Sequence, residues 1–249
     1  DVGDGFNVAL GGAASDTVTV TGTAVDAQGI VLGDNGTLTL DVDGELLSIA
    51  SSDYEYGDTD TIQLTSGTNT VIGGVGADSI TAGSGTNTVL GDDGEAIFAG
   101  GVLTSIQSTN SDEGGNDVIS LEDGTNTVVA GDGQDAIVVG DGRNFVLGDE
   151  GSLTVHDDQG MTIRTINGSV GERDEVTVAT GFSVILGGAE GDVIRAVRPL
   201  GAAVPKMVAL GDNGVVKLDS NGKLTSVETT TPEVGGNDEI SSGDGFIRT

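Results

Sequence analysis

Eight aspartates recur at the ends of short turns: Asp16, Asp60, Asp78, Asp117, Asp135, Asp174, Asp192 and Asp238. Three pairs of them are spaced by 18 residues, Asp60 with Asp78, Asp117 with Asp135 and Asp174 with Asp192. A carboxylate that closes a glycine-rich turn is a hard oxygen donor. Glycine tolerates positive φ, so carbonyls in such a turn can point inward, and it has no side chain to block an ion. Calcium takes about 6–8 oxygen ligands at roughly 2.3–2.6 Å. The chemistry these residues suit is therefore cation binding by oxygen. An isolated Asp-Gly is an ordinary turn whose carboxylate bonds the nearby backbone; a series in register argues for the ion.

Between these aspartates runs a second set, Asn7, Asn69, Asn87, Asn126 and Asn144. Asp60, Asn69, Asp78 and Asn87 fall nine apart, and each is followed two residues later by Ile62, Val71, Ile80 or Val89. The same beat returns at Asp117, Asn126, Asp135 and Asn144, with Ile119, Val128, Ile137 and Val146. The segment Gly73–Thr81, GGVGADSIT, fits the nonapeptide G-G-x-G-x-D-x-U-x, U being a large apolar residue. A run of such units in register is the mark of a repeat architecture.

On these motifs the chain resembles the repeats-in-toxin (RTX) family of calcium-binding nonapeptides, over residues 1–20, 57–94, 114–149, 171–195 and 235–249. The resemblance implies a right-handed parallel β-roll with two nonapeptides per turn. It also implies several Ca2+ ions, each held by two successive turns on one edge. Gly73, Gly74 and Gly76 with Asp78, and Gly131 and Gly133 with Asp135, would be typical ligands. With two units per turn, the aspartates share one edge and the asparagines the other. The Asp edge is expected to bind calcium tightly. The Asn edge is expected to bind weakly or to hold together as an amide ladder.

The beats group into larger units. G-D-x-G recurs at 33–36, 91–94, 148–151 and 211–214, giving about four repeats of roughly 57 residues. Asp34, Asp92, Asp149 and Asp212 in this marker read as plain turns. After each marker the pattern is a β-hairpin, clearest around Asp43-Gly44 and Asn221-Gly222. The expected fold is all-β, a parallel β-roll or β-solenoid with inserted β-hairpins that project from it or lie along it. Residues 1–249 would form a single repetitive domain, with units at 1–33 (partial), 34–91, 92–148, 149–211 and 212–249 (partial). The alternative is a closed, four-bladed β-propeller-like ring, since VGDGFNVA and SGDGFIRT occupy the same phase of the repeat.

The net charge is −31, from 40 acidic and 9 basic residues. This argues against nucleic acid as partner. No apolar run approaches the roughly 20 residues of a membrane span, so membrane insertion is not expected. With 3% aromatics and no Trp or Cys, a thick globular core is unexpected, and a repeat fold avoids the need for one. No catalytic residues are expected. The single His, His156, sits in a hairpin without a nucleophile or metal partner. The alternative role is a carbohydrate-binding or accessory module of a secreted enzyme, and glycan binding would rest only on Tyr54 and Tyr56. Arg195, Arg198 and Lys206 lie in 195–210, the region that breaks the beat, near Pro199 and Pro205, and read as a tolerated insertion.

The expected role is that of a secreted or bacterial cell-surface structural module, a spacer or building block of an adhesin, surface layer or filament. The chain begins in mid-repeat and reads as a piece of a longer protein. Its partners would be neighbouring repeats, end to end. Each nonapeptide buries about one β-branched side chain, worth roughly 1.5–3 kcal/mol, against a backbone entropy cost of about 1–2 kcal/mol per residue. The nonapeptide blocks are therefore expected to be loose without calcium and to stack when it binds.

Overall fold

The computed structural model describes residues 3, 5–22, 27–109, 114–198, 202–243 and 246–248. Every regular element among them is a β-strand. Two parallel sheets are wound together. The central sheet has nine strands, in the order Phe6–Leu10, Gln28–Leu32, Gly67–Ile72, Gly85–Leu90, Gly124–Val129, Gly142–Leu147, Gly181–Gly188, Lys206–Asp212 and Phe246–Arg248. The outer parallel sheet has eight four-residue strands, beginning with Thr17–Val20, Thr61–Leu64 and Ser79–Ala82 and ending with Glu239–Ser242. Chain order alternates between the two sheets, which is the winding of a β-roll.

The hairpins form a third sheet rather than projecting separately. Its eight antiparallel strands run from Gly36–Leu40 at one edge to Leu224–Thr229 at the other. Successive hairpins pair with each other, as Glu95 with Ala50 and Ile106 with Leu153 show. This sheet covers the outward face of the central one, so the molecule is a three-layer slab with two cores. Side chains alternate along a strand. In Gly67–Ile72, Asn69 and Val71 therefore face the outer parallel sheet, while Thr68, Thr70 and Ile72 face the hairpins. The first core joins Val71, Val89, Val128, Val146 and Ile185 to Ile62, Ile80, Ile119, Ile137 and Val176. The second joins Ile72, Leu90, Val129, Leu147 and Leu186 to Ile49, Ile106, Leu153, Ile163 and Val216. Burial on both faces explains the paired apolar residues toward the end of the central strands from Gln28–Leu32 to Gly181–Gly188, Val-Ile, Val-Leu, Val-Val and Ile-Leu.

The expectation of one buried side chain per nonapeptide is thus corrected for the central strands from Gln28–Leu32 to Lys206–Asp212, which bury two or more each, while the edge strand Phe6–Leu10 buries none. The closed ring is not favoured, because all three sheets are open, with Phe6–Leu10 and Phe246–Arg248 at opposite edges of the central one. Residues 196–210 do not lose the beat altogether. Lys206–Asp212 pairs in register with Gly181–Gly188, and Met207 lies opposite Ser183. Pro205 falls outside the ladder; Pro199 and Leu200 lie outside the described residues, as do parts of VGDGFNVA and SGDGFIRT.

The two cores make separable predictions. Ile119→Ala removes a fully buried residue of the first core and Ile163→Ala one of the second. Each should lower the unfolding free energy by about 2–5 kcal/mol, read by urea denaturation in excess calcium.

Candidate metal edge

The roll turns at two edges, and their chemistry differs. At one, the chain passes from the outer parallel sheet into the central one through tight turns. Gly67, Gly85, Gly124, Gly142 and Gly181 stack here with φ between 120° and 149°. A methyl at Gly85, Gly124 or Gly142 would strike the carbonyl of the glycine below it. Just inside this stack lie the asparagines. Asn69 Nδ2 donates to Asn87 Oδ1 at 2.9 Å, Asn87 to Asn126 at 2.8 Å and Asn126 to Asn144 at 2.9 Å; Asn144 donates to Ser183 Oγ at 3.4 Å. Each of the four also donates its second N–H to the carbonyl four residues earlier. The amide oxygens of Asn87, Asn126 and Asn144 each accept a neighbour's N–H, and all three side chains are fully buried. This geometry is the amide-ladder half of the expectation for this edge. Asn7 stands apart, because Gly29 fills the position between it and Asn69, and it bonds Gly3 and Gly5 instead.

The opposite edge carries all eight aspartates in one column, one per turn of the roll. Asp60 Oδ1 accepts the Asp16 N–H at 2.7 Å, and Asp78 Oδ1 accepts that of Asp60 at 2.7 Å. The pattern continues through Asp117, Asp135, Asp174, Asp192 and Asp238 at 2.8–3.0 Å. The column includes Asp174 despite its glycine-poor turn. The other oxygen, Oδ2, is buried and has no hydrogen-bond partner at Asp60, Asp78, Asp117, Asp135, Asp174 and Asp192. A methyl at Gly73 would strike both Asp78 Oδ2 and the Gly91 carbonyl, so these oxygens converge beside one glycine. Gly33 lies likewise between Asp60 Oδ2 and the Gly73 carbonyl, and Gly187 between Asp192 Oδ2 and the Gly211 carbonyl.

The alternating spacing, 18 then 39 from Asp60 to Asp192, has a structural cause. Gly74 N bonds Gly91 O, and Asp92 N bonds Ala130 O. Gly115 is packed against Gly76, and Gly133 against Gly115. These contacts align Gly73-Gly74-Val75-Gly76-Ala77-Asp78 with Gly91-Asp92, then Gly114-Gly115-Asn116-Asp117. Every second turn is thus a nonapeptide turn split between its second and third residues, with a hairpin inserted in the gap. In the split turns the second residue is Asp34, Asp92, Asp149 or Asp212 rather than glycine.

These four aspartates, read from sequence as plain turns, therefore stand on the same edge as the aspartate column. Asp34, Asp92 and Asp149 are buried and reach into the next unsplit turn. Asp34 Oδ2 accepts the Val75 N–H at 2.7 Å, Asp92 Oδ2 that of Asp132 at 2.6 Å and Asp149 Oδ2 that of Ala189. They also explain Gly74, Gly131 and Gly188. At each, φ is positive (107° to 129°) and a methyl would collide with the reaching carboxylate. The missed signal was the fixed distance of G-D-x-G from the next aspartate, which marks two parts of one interrupted turn.

Burial raises the pKa values of the carboxyls sequestered at this edge. Desolvation is the main cause throughout, and it pushes Asp60 to about 6, Asp34 to about 7, Asp78 to about 8 and Asp149 to about 9. Asp92, Asp117 and Asp174 are pushed well above the ordinary carboxylate range by burial and then by neighbouring carboxylates. At Asp192, raised to about 7 by burial, Arg173 offsets part of the effect. Arg195 is engaged elsewhere, pairing with Glu175 and Glu239 on the outer parallel sheet. His156 bonds Thr162 in its hairpin.

Buried carboxylate oxygens without a hydrogen-bond partner, set beside backbone carbonyls, are a donor set that fits a hard cation such as Ca2+. Among the described residues no three carboxylates form a cluster able to hold a metal by themselves, so backbone oxygens must complete any coordination shell. Comparison with family models, curated proteins and solved structures finds no match. No helix among the described residues is long and apolar enough to cross a membrane.

Two predictions follow from the two edges. Asn87→Ala leaves Asn69 without its acceptor and Asn126 Oδ1 without its donor, each buried group costing about 1–3 kcal/mol; urea unfolding measures the sum. For the metal-free chain, raised carboxyl pKa values mean that the folded form binds more protons than the unfolded one. That stabilisation is full below the unfolded Asp value of about 3.9 and is lost as pH rises through the folded values. In chelator the folded fraction, read by far-UV circular dichroism, should therefore fall as pH rises from about 4 to about 9, and excess calcium should flatten the dependence.

Proposed function

We propose that this chain is a calcium-stabilised structural repeat module of the RTX type, a spacer or building block of a large extracellular bacterial assembly such as an adhesin, surface layer or filament. The observation that carries the reading is the run of six buried aspartates from Asp60 to Asp192, one per turn, whose Oδ2 atoms have no hydrogen-bond partner among the described residues. Leaving several adjacent carboxylates charged in a desolvated stack is costly. A divalent ion between turns removes that cost, so binding energy becomes folding energy.

The wider role follows from where such ions are plentiful. Extracellular calcium modules bind at about 10⁻⁴–10⁻³ M, so the chain would stay loose until exported and stiffen outside the cell. A slab of three continuous sheets suits load-bearing or spacing. Neighbouring repeats are the natural partners. The edge strand Phe6–Leu10 leaves Phe6, Val8 and Leu10 exposed on the face that hairpins cover elsewhere, and a preceding repeat would continue both layers there.

The test is far-UV circular dichroism of the chelator-stripped chain near neutral pH, titrated with calcium and, separately, with magnesium. The expected outcome is a gain of β signal with calcium and none at equal magnesium. A full β spectrum indifferent to chelator would remove the calcium reading and leave the aspartates as turn formers.

A further inference from the structure

We propose that the split turns create cation sites of a second kind, anchored by Asp34 Oδ1 in the first split turn and by Asp149 Oδ1 in the third. The proposal rests on the calcium reading above but concerns residues outside the nonapeptide pattern, where the second position is glycine. The side chains of Asp34 and Asp149 are 4% and 1% exposed. In each, Oδ2 is held by the N–H of the next unsplit turn, from Val75 or Ala189. In each, Oδ1 is buried and lacks a hydrogen bond of normal length and angle; the Asp58 N–H lies near enough to the Asp34 carboxylate to offset part of its raised pKa, and Asp149 has no such second neighbour among the described residues.

Their surroundings select the ligand. The charges that act most strongly on Asp34 come from Asp60 and Asp93, and those on Asp149 from Asp192, Asp135 and Asp132. An unpartnered anionic oxygen, buried amid other carboxylates, calls for a hard cation rather than a neutral or anionic ligand. Backbone carbonyls of the split turn and water would complete the shell, as hard divalent ions require. The second split turn is an internal control. Asp92 occupies the equivalent position, but both of its oxygens are used: Oδ1 accepts from Gly115 N at 3.0 Å and Oδ2 from Asp132 N at 2.6 Å. Asp92 therefore acts as a staple between turns, and Asp34 and Asp149 act as staple and ligand together.

The chain carries its own reporter for one of these sites. Its two tyrosines, Tyr54 and Tyr56, lie in the segment that returns from the first hairpin to the split turn. Tyr56 O accepts a hydrogen bond from Asn35, the residue after Asp34, and Gly57 packs against the Asp34 carboxylate. Terbium, a hard luminescent stand-in for calcium, would be excited through these rings when bound at Asp34.

The experiment is terbium luminescence excited through tyrosine, together with equilibrium dialysis against calcium, on the full chain. Wild type should emit, and calcium should quench the emission by competition. Asp34→Asn keeps an acceptor oxygen for the Val75 N–H but loses the charge, and should abolish most of the emission and roughly one bound ion. Asp149→Asn should lose roughly one bound ion and keep the emission, while Asp92→Asn should keep both. Circular dichroism in excess calcium verifies folding. If Asp34→Asn does not fold, Asp34→Glu, which retains the charge, must retain emission, and Asp149→Asn decides by stoichiometry. Calcium binding that is unchanged in Asp34→Asn and Asp149→Asn would overturn the proposal and leave these residues as staples, with the column reading intact. Absence of calcium binding in wild type would overturn both.

Discussion

Buried carboxylates stacked at one edge of the roll set the terms for the rest of the structure. From Asp60 onward each aspartate of the column accepts a backbone N–H of the neighbouring turn with one oxygen, which fixes the spacing between turns. In the six from Asp60 to Asp192 the other oxygen is left dry and unpartnered. Such a group is unstable as an anion unless something positive, a proton or a metal ion, sits beside it. The opposite edge solves the same stacking problem with neutral groups. An asparagine amide is both donor and acceptor, so it bonds its copies above and below and needs no ion. One edge of the slab is thus self-sufficient and the other is conditional, which is a physical basis for coupling order to the ionic environment.

The hairpins alter what a two-sheet roll can do. A roll of short strands has one thin core and exposes the outward face of both sheets. Here every second turn on the Asp edge is opened, and the inserted hairpin folds back over the central sheet. Successive hairpins then pair into a sheet of their own. The central strands are buried on both faces, and the second core contributes apolar burial that does not depend on the turns. Opening the turn also has a cost in geometry, because the two halves of the turn must be held together. Asp34, Asp92, Asp149 and Asp212 stand at the break, and the first three bind the split turn to the unsplit turn that follows. The glycines opposite them are required by that contact and by positive φ.

The nine-residue beat, the assignment of Asp and Asn to opposite edges, the all-β class and the presence of hairpins were all legible in the chain. They follow from local rules. Alternation of side chains along a strand and glycine at positive φ act on neighbours in sequence, so the pattern is written there directly. Ile62, Val71, Ile80 and Val89 could be placed in a core for this reason. The outward-facing partners such as Ile72, Leu90 and Leu147 could not, because nothing nearby in sequence shows what would cover them.

What the amino-acid sequence determined by itself was therefore the repeating unit: its period, its strands, its turn chemistry and the two kinds of polar column. Only the tertiary structure decided how the units interlock. It placed the hairpins as a continuous third layer rather than as projections, and it left the sheets open rather than closed into a ring. It also showed that G-D-x-G and the following aspartate are the two halves of one turn. The physical reason is that these outcomes depend on contacts between residues 39 or more apart, such as Asp78 with Asp117 and Asp34 with Val75. A carboxylate looks the same in sequence whether it caps its own turn or fills the next one. Its partners, and the loss of water around it, exist only after the turns have stacked.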